Sequence, residues 1–212
     1  MHTHDGAPTE PTEFDQAFWD NLYTEKPMRW SGNANPVLVA EASKLTPGTA
    51  LDIGSGEGGD AFWLADNGWT TTGADISEVA LERARQGQGD RDIEWRRRDL
   101  LEWAPPAGRF DLVTAHFFQL PPHQVGPAFV RFGAAVAPGG HLLVVGHSPE
   151  DEHAKQHPRA EILFGVPFVT ALFDDAEWTT VIAEARPRSG NTSDGRPDSH
   201  VDTVVLLRKN DS

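Results

Sequence analysis

Four glycines crowd into six residues directly after a short apolar run. Gly54-Ser55-Gly56-Glu57-Gly58-Gly59 follows Ala50-Leu51-Asp52-Ile53. Glycines at this density let a chain turn sharply between a strand and a helix and set bare backbone N–H groups against a ligand. Three carboxylates accompany them. Asp52 lies inside the apolar run, placed to attract an ammonium group or orient the loop, and it would repel a pyrophosphate. Asp75 follows the glycines by ~20 residues, the distance at which a carboxylate accepts hydrogen bonds from a ribose diol. Asp99 precedes Leu100, an acid that can meet an exocyclic amine beside an apolar wall. Together they suit a cationic ligand carrying an amine and an adenosine, and they disfavour one carrying two phosphates.

The surrounding pattern supplies elements to hold these groups. Ala50–Ile53, Trp69–Ala74, Ile93–Arg98, Phe110–Ala115 and His141–Gly146 read as five strands. Helices are expected after the glycines (Ala61, Leu64 and Ala65 on one face), from Glu78 to Arg85 behind an N-cap Ser77, and around Val125, Phe129, Phe132 and Val136. That alternation predicts a parallel sheet with helices on both faces, its strand ends carrying the three acids. Trp178–Ala185 and Val201–Leu207 read as two further strands joined by a loop over 186–199, and without a helix between them they should pair antiparallel. Ahead of the core, Phe14, Phe18 and Leu22, with Trp19 and Tyr23, predict an aromatic helix from Glu13 to Thr24, serving as packing or as a pocket lid. A second helix runs from Val37 to Leu45. Residues 148–175 should hold one or two helices. Residues 1–12 read as a disordered tail and 13–212 as one domain, with 13–46 a helical lid and 47–212 the core.

The glycines fit both GxGxG (Gly54, Gly56, Gly58) and GxGxxG (Gly54, Gly56, Gly59), the second being a dinucleotide fingerprint. The run LDIGSGEGGDAFWLADNGWTTTGADIS resembles the first two motifs of the class I S-adenosylmethionine-dependent methyltransferases. RRDLLEW, FDLVTAHFF and APGGHLLVVG resemble their later motifs in order and spacing, over residues 37–147. The resemblance implies a Rossmann-like, doubly wound seven-stranded sheet in the order 3-2-1-4-5-7-6 with strand seven antiparallel, and S-adenosyl-L-methionine as cofactor. It implies that Asp52, Gly54, Ser55 and Gly56 hold the methionine part and Asp75 the ribose. Ile76 and Leu100 would sandwich the adenine, with Asp99 at its amino group and His116 and Phe117 lining cofactor and substrate entrance. FWDNLYTEKPMRWSGNANP is similar to the lead-in of the small-molecule branch that includes tellurite-resistance-type and thiopurine-type methyltransferases, with Trp30 and Arg29 covering the cofactor.

The expected reaction is methyl transfer to a nucleophilic atom of a small molecule, with His116 and His147 as catalytic candidates at the ends of strands four and five. His123 reads as a helix N-terminal residue. His153 and His157, four apart, have metal-ligand spacing, but no third ligand is fixed, and no metal is expected. Arg83, Arg91 and Arg96-Arg97-Arg98 form the basic concentration, read as charges guarding an edge strand. Alternatives from other classes are an NAD(P)-dependent oxidoreductase and a non-catalytic S-adenosylmethionine-binding protein. Composition sets outer limits. With 32 Asp+Glu against 18 Lys+Arg, a formal charge of −14, nucleic acid is a disfavoured partner. With no cysteine there is no disulfide, thiolate metal site or cysteine nucleophile. No membrane-length apolar run occurs, and a cytoplasmic location is expected.

Overall fold

The computed structural model describes residues 14–156, 159–191 and 197–211. Seven strands form one sheet in the order β3-β2-β1-β4-β5-β7-β6. They are β1 (Thr49–Ile53), β2 (Thr70–Asp75), β3 (Ile93–Arg97), β4 (Phe110–His116), β5 (Val136–His147), β6 (Trp178–Asn191) and β7 (Pro197–Lys209). β1 through β5 pair parallel, and β7 pairs antiparallel with both β5 and β6, as the missing helix required.

Side-chain alternation divides the core between the two faces. Leu142, Val144, Val205 and Leu207 point toward α5 (Pro122–Ala134), whose Phe129 and Phe132 are fully buried there. Their neighbours Leu143, Val145, Val204 and Leu206 face α2 (Pro36–Ala42) and Leu64 of α3 (Gly59–Asp66). α4 (Glu78–Gly87) begins at Ser77, whose hydroxyl accepts from the Ala80 N–H, the cap expected from sequence. α1 (Gln16–Thr24) is capped by Asp15 and docks on the β2–α4 turn. Asp20 there accepts from the Ser77 hydroxyl at 2.6 Å and the Val79 N–H at 3.3 Å. Among the described residues no helix is long and apolar enough to cross a membrane.

One sequence expectation is overturned. Within the expected loop 186–199, residues 186–191 and 197–199 are strand: β6 continues to Asn191 and β7 begins at Pro197, so pairing runs on to Asn191↔Pro197. Pro187, Gly190 and Pro197 hid the alternation. β6 is an edge strand, where proline is tolerated because no further ladder bond is asked of it. The stretch 148–175 holds short pieces: α6 (Glu152–Lys155), a 3-10 turn (Ala160–Ile162) and α7 (Val166–Thr170). β3 is the opposite edge. Its arginines are paired, Arg96 with Glu94, and Arg97 with Gln16 and Glu78. The tail 1–12, with Glu13 and His157, lies outside the described residues.

Candidate cofactor site

The turn from β1 to α3 is built on three left-handed glycines. Gly54, Gly56 and Gly58 have φ of 69°, 52° and 93°, a region that side chains avoid. Gly59 is the first residue of α3, so the backbone uses the GxGxG spacing and not GxGxxG. Asp75, at the end of β2, holds this turn. Its carboxylate accepts from the Gly56 N–H and the Ser77 N–H, both at 2.8 Å, and burial pushes its pKa up.

Asp52 is 2% exposed, and one carboxylate oxygen accepts from the Thr114 hydroxyl at 2.8 Å. His116, at the end of β4, is equally enclosed, with Nδ1 2.7 Å from Asp60 on α3. Asp52, Asp60 and His116 bring a ligand atom each within 4.8 Å of one another. Burial first, and the Asp60 charge second, raise the Asp52 carboxyl to about 7. Three buried polar atoms here have no partner: Asp52 Oδ2, Ser55 Oγ and His116 Nε2. Such atoms are costly unless something binds them, so they mark where a polar ligand fits.

A cover lies over the glycines. Tyr23 is 4% exposed, and a Cβ at Gly56 would stand 2.8 Å from its hydroxyl. Trp30 donates from Nε1 to that hydroxyl at 3.2 Å. Glu57, inside the glycine cluster, accepts from the Arg29 and Trp30 N–H groups at 3.0 and 3.1 Å and from Arg83 at 2.8 Å.

A family model described as a methyltransferase domain matches residues 50–140, the segment holding the glycine turn, Asp52, Asp60, Asp75 and His116. The trans-aconitate 2-methyltransferase of Sinorhizobium medicae (strain WSM419) is 35% identical over 112 residues, covering 50% of this chain and 41% of that protein. Thiocyanate methyltransferase 1 of Arabidopsis thaliana is 29% identical over 136 residues, 60% of each chain. Over residues 50–140 the chain is thus similar to a methyltransferase domain.

The sheet order is the one the sequence resemblance implied. A solved structure described as "Conversion of a Disulfide Bond into a Thioacetal Group during Echinomycin Biosynthesis" shares the fold. It has a TM-score of 0.74 at 22% identity over 92% of both chains. The chain spans only about two-fifths of the trans-aconitate methyltransferase's length.

Within this site the structure gathers Asp52, Gly54, Ser55, Gly56, Asp75 and His116, with Trp30 above them, 55% exposed. Ile76 and Asp99 lie farther along the carboxyl edge. They line an opening of 260 Å³ with Asp15, Gln16, Arg97 and Arg98. Asp99 is exposed and turns one oxygen onto the Leu101 N–H, whereas Leu100 is buried in the core. His147 stands apart from His116. It ends β5 with its ring 4.7 Å from Phe117, and its Nδ1 is 3.6 Å from Asp202. Sequence reasoning missed Asp60, Glu57 and the anchoring role of Tyr23. Asp60 reads as an ordinary acid in a helix's first turn, and only the fold brings it to His116. Glu57 had a signal, an ionisable residue inside a glycine turn. Its partners lie 26 to 28 residues away.

Proposed function

We propose that this chain transfers the methyl group of S-adenosylmethionine to a small molecule, using residues 14–46 as a cover and the sheet as the cofactor platform. The observation that carries the reading is the convergence of Asp52 Oδ2, Ser55 Oγ and His116 Nε2. All three are buried and unpartnered beside a left-handed glycine turn. In this reading Asp52 and Asp60 attract the ammonium end, and the backbone of Gly54–Gly56 receives the carboxylate end. Asp75, Ile76, Asp99 and Leu100 serve the adenosine.

When bound, the cofactor supplies a methyl group already activated by the sulfonium charge. The chain's own task is to orient the acceptor in line with the methyl carbon and to exclude water. With Nδ1–H donating to Asp60, His116 presents a bare Nε2 lone pair that can take a proton from a protic acceptor. His147 faces the acceptor side. The names of the trans-aconitate and thiocyanate relatives support a small-molecule acceptor.

The test is methyl transfer from labelled S-adenosylmethionine to a panel of thiol, phenol, amine, carboxylate and halide acceptors. A labelled product with S-adenosylhomocysteine supports the reading. Cofactor binding without turnover across the panel would favour a non-catalytic binding protein.

A further inference from the structure

Apart from His116 at the end of β4, the groups assigned to the cofactor stand at the ends of β1, β2 and β3, which leaves the turn after β4 and the end of β5 for the acceptor. There the chain places an unusual row. Phe117 has φ of 52°, a left-handed conformation that bulky residues rarely adopt. It is held by its own N–H donating to Val145 O at 2.7 Å, and its ring stays 39% exposed instead of entering the core. The His147 backbone beside it is clamped by the buried Gln119 side chain, which accepts from the His147 N–H at 2.9 Å.

The row is completed from the far side of the sheet. β5 pairs with β7 only as far as His147↔Asp202, but β6 and β7 pair on from Pro187↔Val201 to Asn191↔Pro197. The ribbon therefore overhangs the carboxyl edge, the edge that carries the cofactor site. Asp151 staples it there, accepting from the Val201 N–H at 2.9 Å and lying 3.2 Å from His200 Nδ1. From this overhang Arg188 reaches back, its guanidinium carbon 5.9 Å from the Phe117 ring centroid. Asp202, 1% exposed, fixes it by accepting from Nε at 2.6 Å. An arginine so oriented by a buried carboxylate and set over an exposed ring keeps further N–H donors for a planar anion.

Resting on the methyltransferase reading above, we infer that the acceptor is a small organic anion, its charged group met by Arg188 and its body stacked on Phe117. Asp202 is the positioning residue for that arginine.

The experiment is calorimetric titration of the protein, loaded with S-adenosylhomocysteine, with benzoate and succinate, and with uncharged benzamide. At least one anion should bind saturably in preference to benzamide. Arg188→Gln should weaken that anion about tenfold or more. Arg188→Lys, which keeps Asp202 paired and the fold secure, should weaken it less. Both variants should keep S-adenosylhomocysteine affinity within about twofold of the parent. Absence of saturable anion binding, or equal anion affinity in parent and Arg188→Gln, would overturn the inference while leaving the cofactor reading intact. Failure of the parent to bind S-adenosylhomocysteine would overturn both.

Discussion

Asp52 carries an internal conflict that can be measured. Its carboxyl is raised to about 7 by burial and by Asp60, against an ordinary value of 3.8. Between those values the fold holds more protons than the unfolded chain, so this residue's contribution to stability is full below pH 3.8 and lost as pH rises through about 7. A cationic cofactor reverses the preference, because it favours the ionised form. Affinity for S-adenosylmethionine should therefore rise from pH 6 to pH 8 with release of a proton, readable by titration in buffers of different ionisation enthalpy. Asp52→Asn should flatten that rise and weaken binding about tenfold or more, the scale of a lost charged contact. The same variant should melt at a higher temperature than the parent at pH 8 without cofactor, and the gap should shrink toward pH 4. Asp75→Ala belongs to the other kind of residue. It frees two buried N–H groups, Gly56 and Ser77, and should cost about 1–3 kcal/mol of stability as well as affinity, read by denaturant melts and calorimetry.

At the scale of elements, Glu57 ties the Arg29-Trp30 turn to the glycine turn. Glu57→Ala removes the acceptor for the Arg29 and Trp30 N–H groups and the Arg83 ion pair. S-adenosylhomocysteine should then dissociate about tenfold faster in stopped-flow fluorescence while the core melts nearly unchanged. An unchanged dissociation rate would mean that the turn bearing Trp30 plays no part in retention. How much of this was legible beforehand follows from range. The strands β1–β5, the Ser77 cap and the antiparallel β7 were readable because alternation, capping and a missing helix are local signals. Asp52 and Asp75 were readable because their place is fixed by spacing from the glycines. The Asp60–His116 contact, 56 residues apart, and the Tyr23 hydroxyl above Gly56 are products of packing. The β6–β7 ribbon was misread because proline and glycine signal a loop unless the strand is known to be an edge, and edge position belongs to the whole sheet.

Across the whole molecule, charge is used unevenly. The chain's −14 is largely surface acid, yet the consequential carboxylates are buried and fall into two sets with opposite responses to pH. Asp52 and Asp75 are pushed up by burial. Asp151 is pulled down to about 2 because, against its burial, the Val201, Ala154 and His153 N–H groups and His200 favour its charged form. Its contribution is therefore present above pH 3.8 and lost as pH falls through about 2. Asp151→Asn should lower stability by about 1–3 kcal/mol at pH 7, and hydrogen exchange should quicken first at Val201, in the overhanging ribbon.

The proposed reading assigns the site with its unpartnered Asp52, Ser55 and His116 atoms to a cationic adenosyl ligand and not to a dinucleotide. Isothermal titration of the intact chain with S-adenosylmethionine, S-adenosylhomocysteine and the nicotinamide dinucleotides tests this most directly. Saturable one-to-one binding of both adenosyl ligands, with no heat from the dinucleotides, is the predicted result. Binding of a dinucleotide, or no binding of either adenosyl ligand to the folded chain, would contradict it.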